Sequence, residues 1–196
     1  MTYFAHALLA ATLFNQPAVA QTTVEIVPAH DSPAEAQTRV QLQRLLAAHD
    51  LSPWICTRTI VVDEKAIPHS HPVLTLHTRH DKDDELLLST FVHEQFHWYL
   101  SDRRDATEAA IAELRKHFPL PAGTGTNAAG DYSTYLHLVV CYLERQVDLQ
   151  LFGEMKTKQI MDFWSGDHYT WVYQMVTARS RDIGTVLRTH KLNLPR

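Results

Sequence analysis

Excess charge of either sign is missing from this 196-residue chain: 18 lysines and arginines stand against 22 acidic residues, a formal charge of -4. Nothing in that balance marks a nucleic-acid or anionic-membrane surface. Only two cysteines, Cys56 and Cys141, are present, so at most one disulfide can form. Cys141 falls inside an apolar helical pattern, which favours a buried free thiol. No run reaches the roughly 20 apolar residues that a membrane span needs. Repeats, low-complexity tracts and linkers that would divide the chain are also lacking. The length fits one domain with a real hydrophobic core.

The first 20 residues look like an export signal. "AHALLAATLF" is a short apolar run, and "AVA-Q" supplies small residues around a cleavage point after Ala20. Its leading stretch "MTYFAH" carries no Lys or Arg, unlike most such leaders. The expectation is a removable signal over 1–20 and a mature chain, 21–196, that is exported to a periplasmic or extracellular space without stable membrane insertion.

Beyond the leader, "TTVEIVP" alternates as a short strand does. Ser32-Pro33 forms a cap and first-turn pair for an amphipathic helix over 33–49. "WICTRTIVVDE" (54–64) and "HPVLTLHT" (71–78) are rich in β-branched residues and read as strands. From there the pattern is helical: a segment ending near Ser101, another over 105–118, and a third over 132–153 stopped by Gly153. Two or three more helices fit between 155 and 190, and 119–131 is a Pro/Gly loop. Strands first and helices later indicate an α+β fold: a small N-terminal sheet packed on one central helix, then a mostly helical C-terminal half.

Histidine is the compositional anomaly, with 13 residues. In "STFVHEQFHWYL" (89–100), His93 and His97 lie one turn apart and about 40° apart on the helix, close enough to share a tetrahedral ion. Glu94 is offset from both, so it cannot chelate with them but can reach a water at the open coordination position. Phe91, Val92, Gln95, Phe96, Trp98 and Tyr99 are all uncharged, so two histidines kept merely for packing would leave Glu94 buried without a partner. The motif therefore encodes two ligands for one Zn²⁺ and a general base.

A catalytic zinc takes a third protein ligand. The metzincin extension fails, since Leu100 and Arg103 stand where Gly and His are required. Residues 132–153 offer His137, Cys141, Glu144 and Asp148, all within about 60° of one another's helix face around Glu144. Imidazole, thiolate and carboxylate all suit zinc, so these residues alone leave the choice open. The pairing of His93-Glu94-x-x-His97 with a downstream Glu144-x-x-x-Asp148 resembles the gluzincin zinc peptidases, the thermolysin-like clan. That resemblance implies His93, His97 and Glu144 as ligands, Glu94 as base, and Asp148 as the carboxylate that orients a ligand imidazole. It implies a single zincin-like metallopeptidase domain, 21–196, acting on a peptide or protein substrate.

An oxyanion donor must also exist, and His137 and Tyr169 are the candidates, with His168 and Tyr173 close by. The resemblance also implies that peptide substrate lies along the 71–78 strand as an added strand. His69, His71 and His77 share a parity that suggests a second metal site. Two rival readings remain at this level: a zinc-binding scaffold without catalysis, and a histidine-rich metal carrier for which the 69–80 cluster speaks.

Overall fold

The first helix starts where Ser32-Pro33 predicts. Ser32 Oγ accepts from the Glu35 N–H at 3.2 Å, and the Glu35 carboxylate accepts from the Ser32 N–H at 3.3 Å. This reciprocal cap satisfies two otherwise orphaned donors. In the computed structural model, which describes residues 23–121 and 130–195, the helix is α1, Pro33–Ala48. The leader and its cleavage point after Ala20 lie outside the described residues, as does most of the 119–131 loop. Glu35 does more than cap. Its carboxylate also accepts from the His30 N–H at 2.8 Å and the Glu64 N–H at 3.2 Å, and bonds His30 Nδ1 at 3.0 Å. It thereby ties the turn before α1 to the far end of a strand.

Three strands form one sheet in the order β1 (Glu25–Pro28), β2 (Thr59–Val62), β3 (Leu74–Leu76). Both pairings are parallel, with Ile60 opposite Ile26 on one side and Leu74 on the other. Parallel neighbours need a crossover, and α1 supplies the first. The strands are shorter than the composition suggested. Ser52–Trp54 winds into a 3-10 turn before β2, and Thr78–His80 does the same after β3. Pro72 has no N–H to give to a ladder.

The helix α2, Asp84–Ser101, occupies the centre. Asp83 caps it by accepting from the Leu86 N–H at 2.9 Å, and Asp84 and Glu85 fill a first turn that favours negative charge. Leu87, Leu88, Phe91, Val92, Phe96 and Leu100 are buried around its circumference, as expected of a helix that is apolar on every side. It packs against α1 and β3 and, elsewhere, against α4. The remaining helices are α3 (Arg104–His117), α4 (Gly130–Asp167), α5 (Thr170–Ala178) and α6 (Ser180–Thr189). One cluster of buried apolar residues runs from Ile26 to Leu192. The fold is a mixed α+β arrangement with a helical majority, and no helix among the described residues is long and apolar enough to cross a membrane.

Gly153 divides α4 into two helical stretches. Its backbone leaves the helical region at φ 76°, ψ 174°, so the stretch that begins at Gly130 stops there, as expected, and a second runs on to Asp167. That conformation is nearly reserved to glycine, so Gly153→Ala should cost about 1–3 kcal/mol of stability. Gly166 sits in the same helix with nothing within 4 Å of a would-be Cβ, so Gly166→Ala should stabilise by about 0.5–1 kcal/mol. Urea unfolding of the two variants reads the contrast, and equal effects would show that the interruption is not strained.

Acid should loosen the α1 cap. Burial pushes the Glu35 carboxyl up, but the bonds from His30, Glu64 and Ser32 outweigh it and bring it down to about 2. A carboxyl whose folded value lies below its unfolded one contributes stability above the unfolded value, and that contribution is lost as pH falls through the folded one. The loss from Glu35 therefore falls between the ordinary glutamate value of 4.5 and about 2. Glu35→Gln should flatten this part of the stability–pH curve; an unchanged curve would mean the cap is not the acid-sensitive element.

Candidate metal centre

One turn of α2 and one turn of α4 bring three imidazoles together. The ring centroids of His93 and His97 are 5.1 Å apart, and His137 on α4 lies 5.7 Å from the first and 5.0 Å from the second. One nitrogen from each ring falls within 4.8 Å of the other two, so all three are close enough to share a metal ion. The sequence reading placed His137 on this helix face as the oxyanion donor and gave the third ligand place to Glu144.

Hydrogen bonds to the other ring nitrogens aim two of these histidines. His93 Nδ1 lies 2.8 Å from Glu144 Oε2, and His137 Nδ1 lies 2.7 Å from the Ser133 carbonyl oxygen. Both partners accept, so Nδ1 carries a proton in each ring and Nε2 is the nitrogen left to face an ion. Metal-binding histidines have this arrangement, with a carboxylate or carbonyl behind the ring fixing tautomer and orientation.

Crowding sets the charges. Burial pushes His97 down to about 2 and His137 down to about 3, and in both the charge on His93 adds to the effect. These two are neutral imidazoles throughout the physiological range, as a metal ligand must be. Burial opposes charge on His93 as well, but Cys141 and Glu144 beside it outweigh that and raise it well above the ordinary histidine value. An ion held by the three rings would have to displace the proton that these neighbours favour on His93.

The carboxylates sit elsewhere than the resemblance implies. Glu144 is buried and accepts from three donors: Ser89 Oγ at 2.7 Å, His93 Nδ1 at 2.8 Å and the Tyr173 hydroxyl at 3.2 Å. His93, His97 and Glu144 do not form a group of mutually close donor atoms among the described residues, whereas His93, Cys141 and Glu144 do. That second group gathers where Glu144 bonds His93, and Cys141 does not line the neighbouring cavity. Asp148 is fully buried one turn further on and touches Ser89 Oγ at 3.2 Å, not a histidine. Burial, and then the charge of Glu144, push its carboxyl well above the usual range. Glu144 therefore holds the position behind an imidazole that the resemblance gives to Asp148.

Glu94 is buried and lines the cavity at the histidines. Burial raises its pKa, against the lowering influence of His93 and His69, which suits a carboxylate that must accept a proton near neutral pH. Tyr169 stacks on His137 with centroids 4.1 Å apart, held in the left-handed region at φ 50°. A non-glycine residue in that region is mildly strained, a feature that clusters at working sites. Beside it, His168 Nδ1 bonds Asp167 at 2.7 Å, and Arg79 bonds the same carboxylate at 2.6 and 3.2 Å.

Sequence reasoning missed Ser89, whose hydroxyl links Glu144, Asp148 and the Trp164 N–H. Its one signal is its place four residues before His93. The upstream histidines do not assemble among the described residues. His71 stacks on Trp98, His77 caps a 3-10 turn by accepting from the Arg79 N–H, and His69 pairs by backbone with Thr75. That pairing also occupies the outer edge of β3, so the strand expected to receive substrate is already partnered there. Thr90, Glu94, Trp164, His168 and Tyr169, with the three histidines, border a cavity of about 460 Å³. No family model, curated protein or solved structure matches this chain.

Both cysteines are free; Cys56 is exposed and Cys141 is buried beside His93. A disulfide reagent should modify one thiol in the native protein and both after unfolding. Two fast-reacting native thiols would contradict this packing.

Proposed function

We propose that this chain is an exported zinc-dependent hydrolase of peptide bonds, with His93, His97 and His137 holding one Zn²⁺. The observation that carries the reading is the convergence of three imidazoles whose hydrogen bonds leave Nε2 of His93 and His137 free, directly beside a buried glutamate that no ligand role consumes. Imidazole nitrogen is a preferred zinc donor, and three such ligands leave a fourth position open. His137 thus takes the ligand place that the gluzincin resemblance gives Glu144, and Glu144 orients His93. The general likeness to His-Glu-x-x-His peptidases is kept; the third ligand departs from it.

A zinc ion held by these residues would supply a lowered water pKa and polarisation of a carbonyl oxygen. The chain's own groups do the rest. Glu94 takes a proton from the attacking water and returns it to the departing amine, a shuttle its raised pKa favours. With His137 on the metal, donation to the carbonyl oxygen falls to Tyr169, which stacks beside it, and to His168, which Asp167 holds from behind. The aromatic wall of Trp164, Tyr169 and Tyr173 excludes water from that side of the cavity. The carrier reading has lost its support, because the 69–80 histidines go to separate partners. A scaffold without catalysis has no use for Glu94.

Metal analysis and kinetics on single variants test the assignment together. His137→Ala should empty the site. Glu144→Ala should weaken zinc by about 10–100-fold and leave binding measurable, as loss of an orienting partner does. Glu94→Gln should keep the full metal content and lose about two or more orders of magnitude in rate. A chain that keeps its zinc in His137→Ala and loses it in Glu144→Ala would overturn the ligand set, and an unaffected rate in Glu94→Gln would overturn the base.

A further inference from the structure

The metal site is not at the end of a pocket. His97 borders the 460 Å³ cavity on one side and a second cavity of about 480 Å³ on the other. The same two helices wall both. From α2 come Thr90, His93 and Glu94 on the first side and Leu100 and Ser101 on the second; α4 supplies His137, then Leu136 and Tyr132. Thr90 to Ser101 is eleven helical steps, about 17 Å at 1.5 Å each. At about 3.3 Å per residue that length matches about five residues of extended chain, lying to both sides of the metal.

Among the described residues, neither rim offers an unpaired arginine for a chain terminus. Arg79 is held twice by Asp167 at the first cavity, at 2.6 and 3.2 Å. Arg104 pairs with Glu108 at 2.9 Å in the second. A site that trims ends needs an unpaired cation for the terminal carboxylate or an unpaired anion for the terminal ammonium. Here the rim arginines are already paired, and the unpaired carboxylate of Glu94 is buried at the histidines and not at a rim. What the rims do offer is apolar: Ile67 is 81% exposed at the first cavity and Tyr132 is 42% exposed at the second.

We propose that the substrate is an internal stretch of polypeptide, laid extended along the α2–α4 groove across the metal and cut endoproteolytically, with apolar side chains near the rims. This rests on the peptidase reading above. In the reaction the peptide C–N bond breaks and a C–O bond forms from water. One water proton passes through Glu94 to the amine, and the other is released with the new carboxyl group.

The experiment uses the zinc-loaded full-length mature protein and blocked decapeptides, N-acetylated and C-amidated, beside free-ended versions, with products read by mass spectrometry. Blocked peptides should be cut at internal bonds within about threefold of the free ones, since the termini contribute no binding energy to spend. A second arm measures anisotropy of labelled blocked peptides on zinc-loaded Glu94→Gln, where affinity should rise at least about tenfold between three and five residues and then level off. Leu136→Trp, which fills the second cavity, should abolish that gain. Release of terminal residues only, or binding that ignores length, overturns the groove while leaving the hydrolase intact. Length-dependent binding with no peptide cut by the wild type sustains the groove and overturns the hydrolase.

Discussion

A single buried carboxylate holds this structure's centre in place. Glu144 stands between α2 and α4 and accepts from Ser89 and His93 on the first and from Tyr173 on α5. Three elements are thus joined through one group that is 1% exposed. Such a group is strongly destabilising if any partner is removed, because an unsatisfied buried charge replaces a satisfied one. The arrangement fixes the azimuth of the His93 ring, and through it the point at which an ion shared by the three histidines would sit. His97 and His137 then follow from the helix geometry.

Asp148 shows how that constraint propagates. Burial, and then the charge of Glu144, raise the Asp148 carboxyl well above the usual range. Ser89 Oγ lies 2.7 Å from Glu144 and 3.2 Å from Asp148, and it accepts from the Trp164 N–H at 3.2 Å. Serine is a poor choice in a helix interior on propensity, so its presence at a fully buried turn is explained by this junction. The acid that looks like a spare ligand is bound to Ser89 at the end of a hydrogen-bond chain.

Much of this could be read from the residues before any coordinates. Ser32-Pro33 announced α1 and β-branched runs announced the strands, because caps and side-chain branching act locally. The lengths of β2 and β3 were overstated, since the Ser52–Trp54 turn overlaps the start of the first β-rich stretch, Pro72 lies inside the second, and composition alone does not mark where pairing stops. Gly153 is the break that was expected, and the helix expected beyond it buries Thr157, Ile160, Met161 and Trp164 on one face. The histidines of 69–80 looked like a cluster because sequence proximity hides the turns that send each ring to a different partner.

The third ligand marks where local reasoning ends. His137 and Glu144 are seven residues apart, so they share a helix face within about 20° and are separated by about 10 Å along the axis. Only one of them can reach an ion held by His93 and His97. Which one depends on where along its length α4 crosses α2, a tertiary quantity that the packing of Leu138, Val139, Leu143 and Val147 decides. A slide of two turns would exchange the roles: Glu144 would meet the free nitrogens and His137 would lie off the end. The observed crossing puts the His137 imidazole beside His93 and His97 and the Glu144 carboxylate behind His93, with Glu94 left uncommitted at the edge of the cavity.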